Sequence, residues 1–458
     1  MISNNRWYWL MIWLRADGFQ RLPCPLLDGR RGVLAGAVTS ACNPASSVDA
    51  PLALIYIKCP RVACKMCFAA QMPEAGAVFV SAYLININQT GSVLLHTAQK
   101  AADGGEKTMS NGQDEVIAFL SRPSSYDASK QPVERVETHG SVIFLHADRA
   151  YKLKRAVAFA ELDFRSLESR RKACQAELLL NRRTAPTLYL SLCPINRRED
   201  GQLELHGRGP VVDWLVVMHR FAQERLFDRM ATEGRLTEPM MEQLGAEIAR
   251  FHACAQITPS FGRIPDLYEE IEKNHREMCR YREVLDVETV STITRASQAK
   301  LNSLIDCLES RRREGRVRRC HGDMRLANIC LIDNRPTLFD GIEFSERIAC
   351  IDVLYDLAFV LMDLQHHGLH GLGARLLSSY LQHSVMTEDC RPLSFFLALR
   401  AATRCFSLAS GALRHVDPAK RYEKKEQAIQ LMHLALAYLP DENPRPNHLP
   451  LITASSHA

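Results

Sequence analysis

The sequence predicts an α+β protein of two lobes, a small antiparallel-sheet lobe followed by a larger helical lobe. Three observations carry this. Short apolar strands with tight turns cluster between residues 133 and 155, and a further one runs from Val211 to His219. Beyond residue 237, apolar residues recur at helical spacing in one segment after another. The chain has 458 residues, 47% of them apolar, which is room for one large bilobal unit or for two or three domains.

The first hundred residues read differently. Trp7 to Leu14 is an apolar run after Arg6, but Arg15 and Asp17 cut it short of an export signal. Cys59, Cys64 and Cys67 have the spacing of a plant-type ferredoxin ligand run. The next cysteine is Cys174, in a different segment, so chance spacing is the better reading. No sustained period follows, and Met109 precedes the first clear helix, Asp114 to Leu120. We therefore expect a poorly ordered or mis-started extension over 1–108, the sheet lobe over 109–221, the helical lobe over 222–440 and a frayed tail over 441–458.

In the sheet lobe, weak alternation from Val133 to His139 precedes strands at Ser141–His146 and Ala150–Arg155, joined by the turn His146-Ala147-Asp148-Arg149. Tyr151 and Leu153 share one face of the last strand, and Lys152 and Lys154 share the other. Asp163 or Ser166 caps a helix running to about Arg183, on which Cys174, Leu178 and Asn181 share a side with Glu177 nearby. Taken singly, these Lys and Glu residues are expected to be solvated. Taken together they resemble a strand lysine that holds nucleotide phosphates and the helix carboxylate that positions it. Thr138-His139-Gly140-Ser141 is the one candidate phosphate-covering turn, and no Walker-type run occurs. Where the Val211–His219 strand runs into helix, Met218 to Phe221 is the expected hinge, with Met218 and His219 offering backbone groups to a nucleotide base.

In the helical lobe, residues 237–256, 266–281, 287–313, 393–411 and 422–439 read as helices, with another opening at Asp352. His252 falls on an apolar face and reads as a core histidine. Asp356 either complements the helix dipole or braces a loop. His366, His367 and His370 read as a solvated turn, and the basic run Arg311 to Arg319 as a solvated helix end and linker.

Bulk properties exclude several classes. A net charge of +5 with both signs interspersed argues against a nucleic-acid partner. Fifteen scattered cysteines argue for reduced thiols and a cytoplasmic protein. No apolar run approaches the roughly eighteen residues of a membrane span.

The densest chemistry lies in Cys320-His321-Gly322-Asp323-Met324-Arg325-Leu326-Ala327-Asn328, followed by Asp340 and Glu343. An acid, then an amide, then a second acid beyond a short hairpin is what phosphoryl transfer needs: one carboxylate for the acceptor's proton, and an amide and a carboxylate for magnesium. His321, Gly322, Asp323 and Asn328 match the H-G-D-x-x-x-x-N signature of the aminoglycoside phosphotransferase family, and Asp340 its later aspartate. Tyr151–Lys154, Leu162–Phe164, Glu177 to Arg183 and Asp352–Phe359 look like an uncharacterised bacterial subgroup, some of whose members carry a further C-terminal P-loop domain. Met324-Arg325 stands where that subgroup more often has Leu-His.

The resemblance covers about 114–440 and implies a bilobal protein-kinase-like fold. It also implies ATP or GTP with Mg2+, and a small-molecule hydroxyl acceptor. It makes Asp323 the general base and Asn328 and Asp340 the metal ligands. Lys154 or Lys152 holds phosphates, Glu177 holds the lysine, and His321 supports the loop. Phosphorylation of a protein, or nucleotide binding without catalysis, remain the alternatives. The acceptor and the oligomeric state are not legible.

Overall fold

The computed structural model describes residues 113–126, 131–159, 162–384, 389–414 and 416–439, and the backbone of four strands before them. The chain divides into two compact units, Met1–Thr108 and Met109–Ala458. In the first, β1 (Leu52–Ile57), β2 (Lys65–Gln71), β3 (Phe79–Ile87) and β4 (Val93–Leu95) form an antiparallel sheet in sequence order, where no period of two was legible. Trp7–Leu14, the Cys59, Cys64 and Cys67 thiols, Met109 and residues 441–458 lie outside the described residues.

The second unit opens with α1 (Asp114–Leu120), β5 (Glu134–Glu137), β6 (Ser141–His146), β7 (Arg149–Lys154), the short pair β8 (Ala158–Phe159) and β9 (Leu162–Asp163), and α2 (Leu167–Asn181). Then come β10 (Tyr189–Arg197), β11 (Leu203–Leu205) and β12 (Val211–His219). Six of these strands form one antiparallel sheet in the order β11-β10-β12-β7-β6-β5. Alternation sorts β7 as expected. Leu153 joins Val142, Phe144 and Leu215 in a core closed by Val116 and Leu120 of α1, with Tyr151 packed against it. Ala150 joins a second core with Cys174 and Leu178 of α2, and Lys152 and Lys154 share its face of the strand. Ser166, not Asp163, caps α2, its side chain accepting from the Ser169 amide at 3.0 Å.

The helical lobe follows: α3 (Phe227–Thr232), α4 (Glu238–Cys254), α5 (Ile264–Cys279), α6 (Val287–Arg313), β13 (Val317–Arg319), β14 (Ile329–Ile332), β15 (Arg335–Leu338), α7 (Glu346–Ala349), β16 (Cys350–Asp352), α8 (Val353–His366), α9 (His370–His383), α10 (Leu393–Arg414) and α11 (Pro418–Ala437). Its core is separate from those of the sheet and centres on α8, buried from Val353 to Gln365 on every side. A helix apolar all round belongs inside a bundle. The α+β, two-lobed fold expected from the sequence is therefore the fold observed.

Two readings of this lobe are corrected. The histidine turn is shorter than expected: His367 and Gly368 form an exposed turn, but α9 starts at His370 in spite of Gly371 and Gly373, because Leu376, Leu377 and Tyr380 pack on the core and outweigh two weak helix formers. His366 closes α8 half-buried, and desolvation pushes its ring down to about 4. The basic run is solvated only in part: Arg313 and Glu314 are exposed at the end of α6, but their neighbours are not. Arg311 is 2% exposed and donates two hydrogen bonds to Asp352, at 2.8 and 2.7 Å. Arg318 donates to the carbonyls of His252 and Ala253 at the end of α4, while Val317–Arg319 pairs with β16. The carboxylate that buries Arg311 stands forty-one residues away, which no local charge pattern reveals.

Candidate active site

The hairpin β14–β15 sets the spacing of the motif. Its turn, Asp333-Asn334, has φ of 48° and 61°, the two positive values of a type I′ turn. Ile329 pairs with Leu338, and the Phe339 amide donates to the Asn328 carbonyl at 3.0 Å. Asn328 and Asp340 thus emerge side by side at the open end of the hairpin.

The loop before it is fastened from below by α8. Asp356, fully buried, accepts the amides of His321 and Gly322, each at 2.9 Å. Two turns on, Asp363 accepts the Leu326 amide at 3.0 Å. Gly322 adopts φ +85°, and a Cβ there would come within 3.0 Å of the Ile342 side chain, so the loop needs glycine at this point. His321 Nε2 donates to the Phe339 carbonyl at 2.9 Å, tying the loop to the segment that carries Asp340. Asn328 Nδ2 donates to the Asp323 carbonyl at 2.9 Å and to its Oδ2 at 2.7 Å. Arg325 Nε donates to the same Oδ2 at 3.1 Å. Asp323 is therefore a carboxylate aimed and held, at the mouth of a cavity of about 530 Å³ between α5, α8 and α10.

Lys152, Lys154, Glu177 and Asp340 converge. Lys152 Nζ donates to Glu177 at 2.8 Å and to Asp340 at 2.5 Å. Lys154 pairs with Glu177 and with Glu343. The lysines are 7% and 3% exposed and Glu177 is fully buried, so the solvated reading of these residues is overturned. Burial of charge is sustained here only because each group has an opposite partner. Desolvation pushes the Asp340 carboxyl up, the ammonium of Lys152 pulls it further down, and the balance lies at about 2. At Glu343 burial outweighs the pull of Lys154, and the carboxyl is raised.

Asp340 itself has φ +60°, a left-handed conformation that an aspartate tolerates better than most residues. Two neighbours hold it there. The Asp340 amide donates to the Tyr189 hydroxyl at 3.1 Å, and the Gly341 amide to Asn181 Oδ1 at 2.7 Å. Asn181 in turn donates to the Glu177 carbonyl at 3.0 Å.

The site fits a hard cation. With the Asn328 amide nitrogen committed to Asp323, the plane of the amide turns Oδ1 the other way. The donors on offer at Asn328 and Asp340 are oxygens, as magnesium requires. A second group, His252, Cys320 and Asp356, has donor atoms close together, but all are occupied. His252 bridges the Tyr380 hydroxyl and Asp356 as a core histidine, and the Cys320 thiol donates to the Ile351 carbonyl, its ionisation suppressed by burial.

Met218 and His219 stand apart from the charged cluster. Both end β12 inside the sheet ladder, opposite Ala150 and Arg149. The His219 amide donates to the Leu188 carbonyl and its ring meets Arg149, while the Arg220 amide donates to Asp148. The Met218 side chain belongs to an apolar group with Leu145 and Ala150, against which Phe221, Ile332 and Phe339 pack from the hinge and the helical lobe. The turn at Thr138–Ser141 is closed by its own Thr138 hydroxyl.

The Phosphotransferase enzyme family matches residues 144–394, more than half of the chain. The chain belongs to this family. Among the relatives of this phosphotransferase family member, the uncharacterised protein Rv2004c of Mycobacterium tuberculosis is 29% identical over 301 residues, covering 62% of this chain and 59% of that protein. The uncharacterised protein Mb2027c of Mycobacterium bovis matches with the same figures. The chain spans about three fifths of the length of these relatives. Of solved structures, a choline/ethanolamine kinase family protein from Mesorhizobium loti is 14% identical, with 71% of this chain and 98% of that chain covered and a TM-score of 0.41. The ADP-bound aminoglycoside phosphotransferase APH(2'')-Ib is 14% identical, with 67% and 95% covered and a TM-score of 0.36.

Sequence reasoning missed Asn181, Tyr189, Asp363 and the partner of Arg325. Asp363 was findable: it follows Asp356 by two helical turns on the one otherwise apolar helix. Asn181, one turn after Glu177, carried the same kind of signal, whereas nothing local marked Tyr189.

The brace at Asp356 yields an acid-stability prediction. Desolvation pushes its carboxyl up, but the hydrogen bond and charge of His252 outweigh it and the value falls to about 2, from a usual 3.8. A depressed folded value stabilises above the unfolded value and is lost as pH falls through the folded one. Asp356→Asn is expected to cost about 3 kcal/mol at neutral pH. That gap from the wild type should hold above about pH 4 and close toward pH 2, as read by urea unfolding. A gap that stays constant down to pH 2.5 counts against the assignment.

Proposed function

We propose that this chain transfers the γ-phosphoryl group of ATP, or GTP, to a hydroxyl of a small molecule. The observation that carries the reading is the junction of Lys152, Glu177 and Asp340, which ties the sheet lobe to the segment that carries Asp340, itself held to the Asp323 loop by His321. A strand lysine braced by a helix carboxylate, beside an amide–carboxylate pair, is an arrangement for gripping a charged phosphate chain. Magnesium, when bound with the nucleotide, would offset the phosphate charge. Asn328 and Asp340 would hold it, and Lys152, released from Asp340, would turn to the phosphates. Lys154 is the poorer candidate, because it sits behind Glu177 with Glu343 and over the Phe164 ring.

Asp323 takes the acceptor's hydroxyl proton on its carboxylate, which Asn328 and Arg325 keep in one orientation. The adjoining cavity of about 530 Å³ is of the size that takes a small molecule. The apolar group around Ala150, Met218 and Phe339 offers a flat apolar bed for a base, and open backbone for it begins after Arg220. No disulfide links the described cysteines, in keeping with a cytoplasmic setting, and among the described residues no helix is long and apolar enough to cross a membrane.

The test is a thermal-shift series with ATP and Mg2+, followed by ADP release across hydroxyl metabolites and antibiotics. A nucleotide shift and release driven by a small molecule are the expected results. Label from ATP appearing in protein after incubation with lysate would transfer the assignment to a protein kinase, and no shift at all would leave a non-nucleotide role.

A further inference from the structure

The charges that line the cavity at Asp323 do not balance. On its outer wall Asp266 pairs with Arg263 at 2.8 Å, Glu269 with Arg347 at 2.8 Å and Glu270 with Lys273 at 3.4 Å. Elsewhere in the lining Asp323 pairs with Arg325 at 3.1 Å and Asp352 with Arg311 at 2.7 Å. Every carboxylate of the lining thus has its own base. Two lining arginines, Arg400 and Arg404, form no ion pair with a described acid and lie one helical turn apart on α10.

Arg400 is 4% exposed. Its Nε donates to the Tyr355 carbonyl at 3.0 Å, and its guanidinium lies 3.9 Å from the Tyr355 ring centre and 4.7 Å from that of Phe359. Its Nη2 is buried with no hydrogen-bond partner. Buried polar groups are normally satisfied, so a donor left open in a cavity wall points to a ligand. Arg404 has no ion pair or hydrogen bond among the described residues. Asp363, whose charge acts on Arg404, has one oxygen on the Leu326 amide. Burial and the positive charge of Arg325 outweigh the pull of the Asp363, Asp323 and Asp228 carboxylates and disfavour the Arg404 cation, a deficit that an anion in the cavity would reduce.

We infer that the hydroxyl acceptor is itself an anion, a small molecule whose carboxylate or phosphate sits on Arg404 and the open Nη2 of Arg400 while its hydroxyl meets Asp323. This rests on the phosphotransferase reading of the same site. Arginine forks match the oxygens of carboxylates and phosphates. A polycationic antibiotic or an amino alcohol would find no unpaired carboxylate here.

The test is calorimetric titration of sodium sulfate, sodium acetate and tetramethylammonium chloride into protein saturated with Mg2+ and AMP-PNP. Sulfate binding points to a phosphate ester and acetate binding to a carboxylate. Either supports the inference, provided that Arg404→Gln weakens it by about tenfold or more and Arg404→Lys by less. Binding of tetramethylammonium with neither anion, no binding of any of the three, or anion affinity unchanged in Arg404→Gln overturns it. The wild-type titration decides between anion and cation even where a variant does not fold. A protein that fails to take AMP-PNP defeats the phosphotransferase reading separately, because the anion titration still reports on the cavity.

Discussion

Asp323→Ala is expected to lower turnover by roughly 10²–10⁴-fold, the usual weight of a general base, while AMP-PNP binds as in the wild type. The separation follows from the geometry. Asp323 belongs to the cavity side of the loop, with Arg325 and Asn328 as its partners, whereas the lysine junction lies on the far side of Asn328. The measurement is ADP release under saturating acceptor, with AMP-PNP affinity by calorimetry in parallel. Full turnover in the variant would remove Asp323 from the chemistry. Lost nucleotide affinity with intact folding would make it a nucleotide ligand.

The second expectation is the mirror image. Asp340→Asn should weaken Mg2+-dependent nucleotide binding by at least ~10–100-fold, the loss reported even for outer partners of metal ligands. Asparagine is the informative replacement because it tolerates the left-handed backbone of this position, φ +60°, where alanine would add strain. The variant also removes the charge that Lys152 faces, so affinity measured without metal should change far less than affinity with it. A nucleotide dissociation constant that responds to Mg2+ as in the wild type would detach Asp340 from the metal.

How much of this was legible depended on distance along the chain. The β7 lysines, the Ser166-capped helix, the Val211–His219 strand and the hairpin between Asn328 and Asp340 are local patterns, and period and turn chemistry sufficed. The role of Asp356 was half legible, since an acid in the first turn of a helix serves the dipole whether or not it also holds a loop thirty-five residues back. Arg311 and Arg318 were misread because their partners lie across the fold, and a basic run looks the same in sequence whether water or buried acceptors surround it. The two glycines that open α9 hid a helix whose stability comes from packing, not propensity. The open arginines of α10 could not be found from sequence at all, because being unpaired is a property of the surroundings.

The inner face of α2 is tied at two successive turns, by Glu177 to both lysines and by Asn181 to the amide of Gly341. A swing of this helix away from the sheet would leave each lysine with one carboxylate in place of two and let go of the segment carrying Asp340 at the same moment. The position of the helix and the setting of Asp340 are therefore coupled through two side chains of one helix face.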